Sequence, residues 1–309
     1  AHTRAGQRLG DVHPQLAPLA DRELIAADAD AIAGADVIFI ALPHGQSASL
    51  ASHLPAAVPV VDLGADFRLT DAHAWGTYYG GDHAGSWLYG LPELPGVREQ
   101  LADATRVANP GCYPTAVIVG VAPLVAAGLV ETQPLIVVAA SGTSGAGRNP
   151  SDTLLASSVM GSMSAYKVGG MHQHTPEMEQ VLTSAAGEDV RVSFTPLLAP
   201  MSRGILATIS AALAPSAEPE ALRECLHAAY DREKFIHVLP EGQWPQTSST
   251  YGANSVQIQL AVDKHTGRVI VVTALDNLVK GAAGQALQNA NLMLGFAEDS
   301  GLTDCGVAP

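Results

Sequence analysis

Three β-prone runs, each closed by a polar, glycine-bearing turn, set the narrowest limit on what this chain can fold into. Ala35 to Leu42 reads ADVIFIAL, Ala57 to Leu63 reads AVPVVDL, and Thr105 to Ala108 is a shorter run, TRVA. A near-continuous apolar run suits a parallel strand covered on both faces, where alternation would mark a strand with one wet face. Pro43-His44-Gly45 follows the first run and leads into a helical stretch, Gln46 to Leu54. The second run ends in Gly64-Ala65-Asp66-Phe67-Arg68, and a long stretch rich in Gly, Tyr and Trp, Trp75 to Pro95, reads as irregular. Strand–helix–strand alternation predicts an α/β fold with a parallel sheet, in which ligands gather beyond the C-terminal ends of the strands.

The third turn carries a thiol. Ala108 to Ala116 reads ANPGCYPTA. Pro110 keeps the preceding residue out of helix, and Pro114 suits the first turn of a helix, predicted over Thr115 to Val130. Cys112 is therefore expected at a strand-to-helix corner, near unpaired N–H groups and the positive end of a helix dipole. Those favour an anion, so the thiolate is expected to form more readily than at the usual cysteine pKa of about 8.5.

The second half has a different pattern. Pro134 to Ala140 reads as a strand running into Ser141-Gly142-Thr143-Ser144-Gly145-Ala146-Gly147-Arg148, a loop in which backbone N–H groups are expected to approach an anion. Ser157 to Gly170 reads as irregular. His172 and His174 precede a helix with Thr175 as its N-cap and Pro176 at its first position, and on an extended chain they point to opposite sides. Val190 to Leu198 and Gly204 to Leu213 read as strands, Pro219 to Tyr230 as a helix, and Ser255 to Val262 with Arg268 to Leu275 as a hairpin. A helix pattern follows from Asp276. This half is an antiparallel-leaning α+β domain.

Composition removes several classes of function. The formal charge of −14 disfavours nucleic acid as a partner and makes every cation beside a glycine turn a candidate anion ligand. The longest apolar run, Ala116 to Val130, falls short of the roughly 20 residues of a membrane helix. No charged-then-apolar leader pattern opens the sequence. Three scattered cysteines, Cys112, Cys225 and Cys305, form neither a disulfide framework nor a metal pair, which suits a reducing cytoplasm. No third ligand accompanies His172 and His174, so no metal is expected. A Cys–His pair remains, and it suits a thiol hydrolase, an acyltransferase or a thiol-dependent aldehyde dehydrogenase.

The ordered set ALPHG, DLGADFRL, YGLPEL, NPGCYPTA, SGTSGAGR, HQHTPE, SFTP and DNLVKGAAGQA resembles the N-acetyl-gamma-glutamyl-phosphate reductases of arginine biosynthesis over essentially the whole chain. The related aspartate-semialdehyde dehydrogenases share the plan but carry an NPNC corner. The resemblance implies a Rossmann-type NADP-binding domain over 1–111 and 277–309 and an α+β catalytic and oligomerisation domain over 112–276. It implies NADPH-dependent reduction of N-acetyl-gamma-glutamyl phosphate through a thioacyl enzyme on Cys112, with His172 as acid and base and a homotetramer as the assembly. Arg68, Asn109, Ser141, Ser144, Arg148 and His174 are expected around the substrate. Thr3, Arg4, Pro43, His44, Gly45, Asn277 and Gly281 are expected around NADP(H). The family begins with a strand, a glycine-rich turn and a helix that hold the cofactor pyrophosphate. This sequence opens beyond that unit, at Ala1-His2-Thr3-Arg4, so weak NADPH binding is expected of these residues alone. A reductase for another acyl phosphate, a non-redox thiol acyltransferase and a cofactor-sensing module are the competing readings.

Overall fold

A computed structural model of the chain describes residues 4–32, 34–147 and 152–307. The three runs lie in one parallel sheet, as β1 (Ile38–Ile40), β2 (Val60–Asp62) and β4 (Arg106–Ala108). The strand order is β1-β2-β4-β3, with β3 (Leu88–Tyr89) supplied by the stretch read as irregular. That stretch also holds part of a helix, Ala72–Tyr78, whose first turn is capped by the Asp71 carboxylate accepting from the His73 N–H. The expectation of an irregular Trp75 to Pro95 is thus corrected. A two-residue strand is too short to show a period, and a cap two residues from its donor is easily missed. Coverage is also one-sided at the edge. Phe39 of β1 is 44% exposed while Ile38 and Ile40 are buried.

The second sheet has seven strands in the order β6-β7-β5-β8-β11-β10-β9. These are β5 (Leu135–Ser141), β6 (Ser164–Ala165), β7 (Val192–Leu198), β8 (Ile205–Ala212), β9 (Ile236–Val238), β10 (Val256–Asp263) and β11 (Arg268–Leu275). The sheet is mixed, with β5/β7 and β9/β10 parallel and the other neighbours antiparallel. Alternation decides its faces. Leu135, Val137 and Ala139 of β5 and Ile205, Ala207, Ile209 and Ala211 of β8 are buried on one face, while Ile136 and Val138 are exposed on the other.

The covered face receives the cysteine helix, Cys112–Ala126, nearly every residue of which is buried. Gly120 permits the contact. A side chain there would lie 2.9 Å from both Ile209 Cδ1 and Thr273 Cγ2. The helix begins at the cysteine itself, three residues earlier than read, and ends four earlier. Gly128 adopts a left-handed φ of 64°, and the Leu129 N–H turns back to the Leu124 carbonyl at 3.0 Å. Pro123 within the helix has no N–H to give Val119, four residues back. The Tyr230 hydroxyl, from the helix Pro219–Tyr230, donates to that orphaned carbonyl at 2.7 Å. The C-terminal helix, Gly284–Met293, returns to the first sheet, where Ala286 and Ala290 pack with Val61, Leu101 and Val107.

Replacing Tyr230 by Phe removes one hydroxyl and leaves a buried acceptor without a partner, which costs about 1–3 kcal/mol. Urea unfolding should show a lowered midpoint with an unchanged slope, and turnover should be unaffected in the folded protein.

Candidate active site

Cys112 is the first residue of its helix, with Gly111 as the N-cap. The corner is fixed from several directions. Asn109 extends the sheet, its N–H donating to the Asp62 carbonyl at 2.8 Å. The Gly111 carbonyl accepts from both the N–H and the hydroxyl of Thr115 at 2.9 Å. The Gly111 N–H donates to Glu177 Oε1 at 2.8 Å. A side chain at Gly111 would lie 2.7 Å from His174 Nε2 and 2.9 Å from Arg68 Nη1, so glycine is required by close approach and not by its φ of −70°.

Glu177 is the centre of this arrangement, and its role was not read from the sequence. It is fully buried in the histidine helix, His174–Ala186. Besides the Gly111 N–H it accepts from the Tyr89 hydroxyl at 2.8 Å and pairs with Arg68 Nη1 at 3.3 Å. A signal existed. Glu177 falls on the same helix stripe as Met178, Val181 and Leu182, which are buried, and a carboxylate on an apolar stripe needs partners.

Arg68 is itself buried. Its Nε donates to the Asn109 carbonyl and its Nη2 to the Leu63 carbonyl, both at 2.8 Å. With the Glu177 bond, three of its five N–H groups are spoken for within the protein. Asn109 is equally engaged. Its amide donates to the Ala282 carbonyl at 3.1 Å, and its Oδ1 accepts from Asn289 at 3.1 Å.

His172 and His174 do not point apart. Their ring centroids are 4.8 Å from each other, because residues 172–174 turn into a helix that starts at His174, one residue before the expected Thr175 cap. His172 Nδ1 accepts from the His174 backbone N–H at 3.1 Å. An N–H can only donate, so a neutral His172 ring carries its proton on Nε2. Tyr113, Tyr166 and Phe194 surround that ring at centroid distances of 5.5, 5.6 and 5.2 Å. The hydroxyls of Tyr113 and Tyr166 meet at 2.9 Å.

The electrostatics correct one expectation. Burial pushes the Cys112 thiol up to about 11. The N–H groups at the helix start and the Arg68 charge do pull the other way, as the corner geometry predicts, but Glu177 offsets the arginine and burial outweighs the rest. Burial first, then His174 and Lys167, lowers His172 to about 3. Burial and then Arg68 lower His174 to about 3. Thiol and imidazoles are both neutral at rest near pH 7.

The glycine-rich loop is also not the expected anion cradle. The N–H groups of Gly142, Thr143 and Ser144 donate to the carbonyls of Gly204, Met201 and Ser202, and those of Gly145 and Gly147 close turns onto Gly142 and Ser144. The loop is zipped to the chain before β8, so its backbone has no amides to spare at those positions. Ser141 is buried and donates to the Gly142 carbonyl at 3.2 Å. Ser144 accepts from Asn277 Nδ2 at 3.1 Å, and Asn277 Oδ1 accepts from the Gly204 N–H at 2.7 Å. Gly281 abuts the cysteine directly, where a side chain would lie 2.8 Å from Cys112 Cβ.

The remaining expected cofactor residues lie in the first sheet's domain. Pro43, His44 and Gly45 are exposed beyond β1. Asp66, in the turn after β2, clips them by accepting from the Gly45 N–H at 2.7 Å and the Ala48 N–H at 3.0 Å. Arg4 is exposed in a turn. Thr3 and Arg148 lie outside the described residues.

Comparison with known proteins gives this geometry a family. Residues 112–277 match the family described as semialdehyde dehydrogenase, dimerisation domain, and residues 1–104 match semialdehyde dehydrogenase, NAD binding domain. An N-acetyl-gamma-glutamyl-phosphate reductase of Acidothermus cellulolyticus is 58% identical over 309 residues, all of this chain and 90% of that protein. The chain belongs to the N-acetyl-gamma-glutamyl-phosphate reductase family. One from Streptomyces coelicolor is 56% identical, again over 100% of this chain and 90% of its own length. An aspartate semialdehyde dehydrogenase from Francisella tularensis shares the fold, with a TM-score of 0.68 and 13% identity over 95% of this chain and 90% of that one. A Candida albicans aspartate semialdehyde dehydrogenase solved with NADP has a TM-score of 0.62 and 16% identity, covering 95% and 89%. The chain is thus an oxidoreductase of this family with a Rossmann-like NAD(P)-binding domain joined to a mixed-sheet dimerisation domain.

In a form with Cys225 and Cys305 replaced by serine, alkylation of Cys112 by iodoacetamide without substrate should accelerate steadily from pH 7 to beyond pH 10. An inflection below pH 8.5 would show that the helix start, and not burial, governs the sulfur.

Proposed function

We propose that the chain reduces N-acetyl-gamma-glutamyl phosphate to N-acetylglutamate 5-semialdehyde and phosphate, as a cytoplasmic step of arginine biosynthesis. The observation that carries this reading is the likeness to reductases of that name along the whole chain, at 58% identity. No described helix is long and apolar enough to cross a membrane. We assign 1–111 with 277–309 to the nucleotide unit and 112–276 to the catalytic unit.

A nicotinamide dinucleotide fits the C-terminal edge of the parallel sheet. Gly45, at φ +82°, has open space where a side chain would stand, and Asp66 fixes the shape of that turn from below. Pro43, His44 and Gly45 would hold the cofactor there, together with Arg4 and the segment from Asn277 to Gly281. When bound, NADPH supplies the hydride.

The chain's own residues do the rest. The Cys112 sulfur attacks the γ-carbonyl carbon, the carbon–oxygen bond to phosphate breaks, and a thioester forms. Because the thiol is protonated at rest, its proton must leave as the bond forms, and a phosphate oxygen of the departing group is a suitable acceptor. After reduction of the thioester carbonyl, the oxygen takes the His172 Nε2 proton, solvent returns a proton to the ring, and the thiohemiacetal collapses to aldehyde as its hydroxyl proton passes to the departing sulfur. The sequence reading gave both proton transfers to His172, and the bond at Nδ1 favours the donating half. Arg68 and His174, beside Gly111, Ser141 and Ser144 at the end of β5, and Asn109 behind the corner shape the substrate's surroundings. Arg148 remains a candidate for its carboxylate.

Assembly follows from the uncovered sheet face. A second copy laid on Ile136 and Val138 would bury side chains that are exposed among the described residues. The resemblance extends this to a tetramer.

Phosphate-dependent reduction of NADP by N-acetylglutamate 5-semialdehyde, with arsenate substituting for phosphate, tests the reaction in reverse. Cys112→Ser should abolish it, and an aldehyde lacking the N-acetyl group should react poorly. His172→Ala and His172→Asn, whose amide can hydrogen-bond the oxygen but cannot transfer a proton, should each lose about 10²–10⁴-fold, the typical share of general acid–base catalysis. Turnover within a few-fold of the unaltered protein in either variant would remove His172 from the proton transfers. Paired Ile136→Lys and Val138→Lys changes should lower the mass measured by light scattering.

A further inference from the structure

Two of the family motifs, YGLPEL and DNLVKGAAGQA, contribute one charged residue each to a single buried ion pair. Lys280 Nζ lies 2.6 Å from Glu93 Oε1, with side-chain exposures of 0% and 1%. The ammonium also donates to Gln288 Oε1 at 2.7 Å and lies over the Phe235 ring. Gln288 Nε2 in turn donates to Glu93 Oε1 at 2.9 Å. Outward, the network continues through Glu298 to Arg98, at the surface, and from Arg98 to Glu233. Removing two charges from water costs several kcal/mol per ion, and an apolar pair of like volume is often as stable or more so. Stability alone therefore does not account for this pair.

Its neighbours do. Lys280 sits in a π-turn, Val279–Ala283, whose bonds span five residues: Gly281 N–H to the Asp276 carbonyl and Ala283 N–H to the Leu278 carbonyl, both 2.9 Å. Such widened turns are uncommon and occur often at functional sites. The next residue, Gly281, abuts Cys112 Cβ. The one after, Ala282, offers its carbonyl to Asn109, three residues before the cysteine. The charged side chain is held by the network, and the backbone next to it packs against Cys112.

We propose that the Lys280–Glu93 ion pair is a positioning device for Cys112, holding the π-turn against the cysteine corner so that the sulfur is presented at one fixed place. This rests on the thioester reading above and deepens it. Lys280 touches no reacting atom. A lysine at the end of a flexible stem, gripped by two acceptors, sets where the turn stops along the corner. A small displacement of a nucleophile lowers turnover steeply, because attack needs aligned atoms about 3–3.5 Å apart.

The test is the paired variant Lys280→Met with Glu93→Gln, which removes both charges and leaves neither orphaned. It should fold, lose about tenfold or more in kcat and keep KM for the acyl phosphate within about twofold, since a loosened corner misplaces the sulfur without removing a substrate contact. Cys112 alkylation at pH 8 should become faster while turnover falls, because a loosened corner admits water to the sulfur. That alkylation reads the cysteine whatever the substrate, so it separates failure of this proposal from failure of the assigned reaction. Arg98→Gln, at the surface end of the network, should lower thermal stability and leave kcat and alkylation unchanged. Should the paired variant not fold, Lys280→Arg keeps the charge on a different fork, and the same opposite movement of turnover and alkylation is expected. Normal kcat and alkylation in either folded variant overturns the proposal. Loss of folding in both also overturns it, for the pair is then a requirement of the fold and not a setting of the cysteine.

Discussion

A single buried carboxylate holds the cysteine corner to the rest of the molecule. Glu177 accepts from the Gly111 N–H, from the Tyr89 hydroxyl and from Arg68, and these partners come from three different segments. Tyr89 and Arg68 belong to the parallel-sheet domain, Gly111 is the N-cap of the cysteine helix, and Glu177 itself rides on the histidine helix. An ionised carboxylate without partners would be prohibitive at full burial, and removing one member of such a set typically costs 3–5 kcal/mol. The same bonds therefore stabilise the interface between the two sheets and place Cys112, His174 and Arg68 around one glycine. Gly111 is where the demands meet, since no side chain fits between the imidazole and the guanidinium.

That arrangement also determines how the sulfur is activated. An arginine beside a cysteine at a helix start would ordinarily favour the thiolate, but this arginine is paired with Glu177, and the paired charges leave little net field at the sulfur. Burial then decides, and the thiol stays protonated. The same burial keeps both imidazoles neutral. In a chain of charge −14, a resting thiolate would add to the repulsion met by an anionic acyl phosphate. On the proposed reaction a neutral corner avoids this and couples deprotonation to the arrival of a substrate that carries its own proton acceptor, which would confine the chemistry to the complex.

How much of this was legible depends on the range of the forces involved. The three runs at Ile38, Val60 and Arg106 became parallel strands in one sheet because their burial is a local, periodic property. The strand Arg268 to Leu275 and the helix Pro219–Tyr230 matched to the residue for the same reason, and the other strand of the hairpin, read at Ser255 to Val262, lies one residue further on at Val256–Asp263. Cys112 at a strand-to-helix corner was legible from two prolines and a glycine. What failed was set by distant partners. The Ser141 to Gly147 loop looked open because glycine shows freedom of conformation, not the carbonyls of residues 201–204 that occupy its amides. The direction of the thiol shift was misread because burial depends on the whole fold, while a helix start can be read from a few residues. The role of Glu177 escaped notice because its three donors are 66, 88 and 109 residues away.

The cysteine is thus held by geometry more than by charge. Asp62 fixes Asn109 from the sheet, Glu177 fixes Gly111 from the histidine helix, and Gly281 with Ala282 close the far side from the π-turn. These supports lie in segments that arrive at the corner from opposite ends of the sequence, so the sulfur's position is a property of the completed fold and of no single element. On the proposed reaction a lowered pKa would trade intrinsic nucleophilicity for a larger resting thiolate fraction, and this fold instead relies on placement of a protonated sulfur. Fixed placement would serve each step of that reaction, because the sulfur would stay where the phosphate leaves and where the hydride arrives.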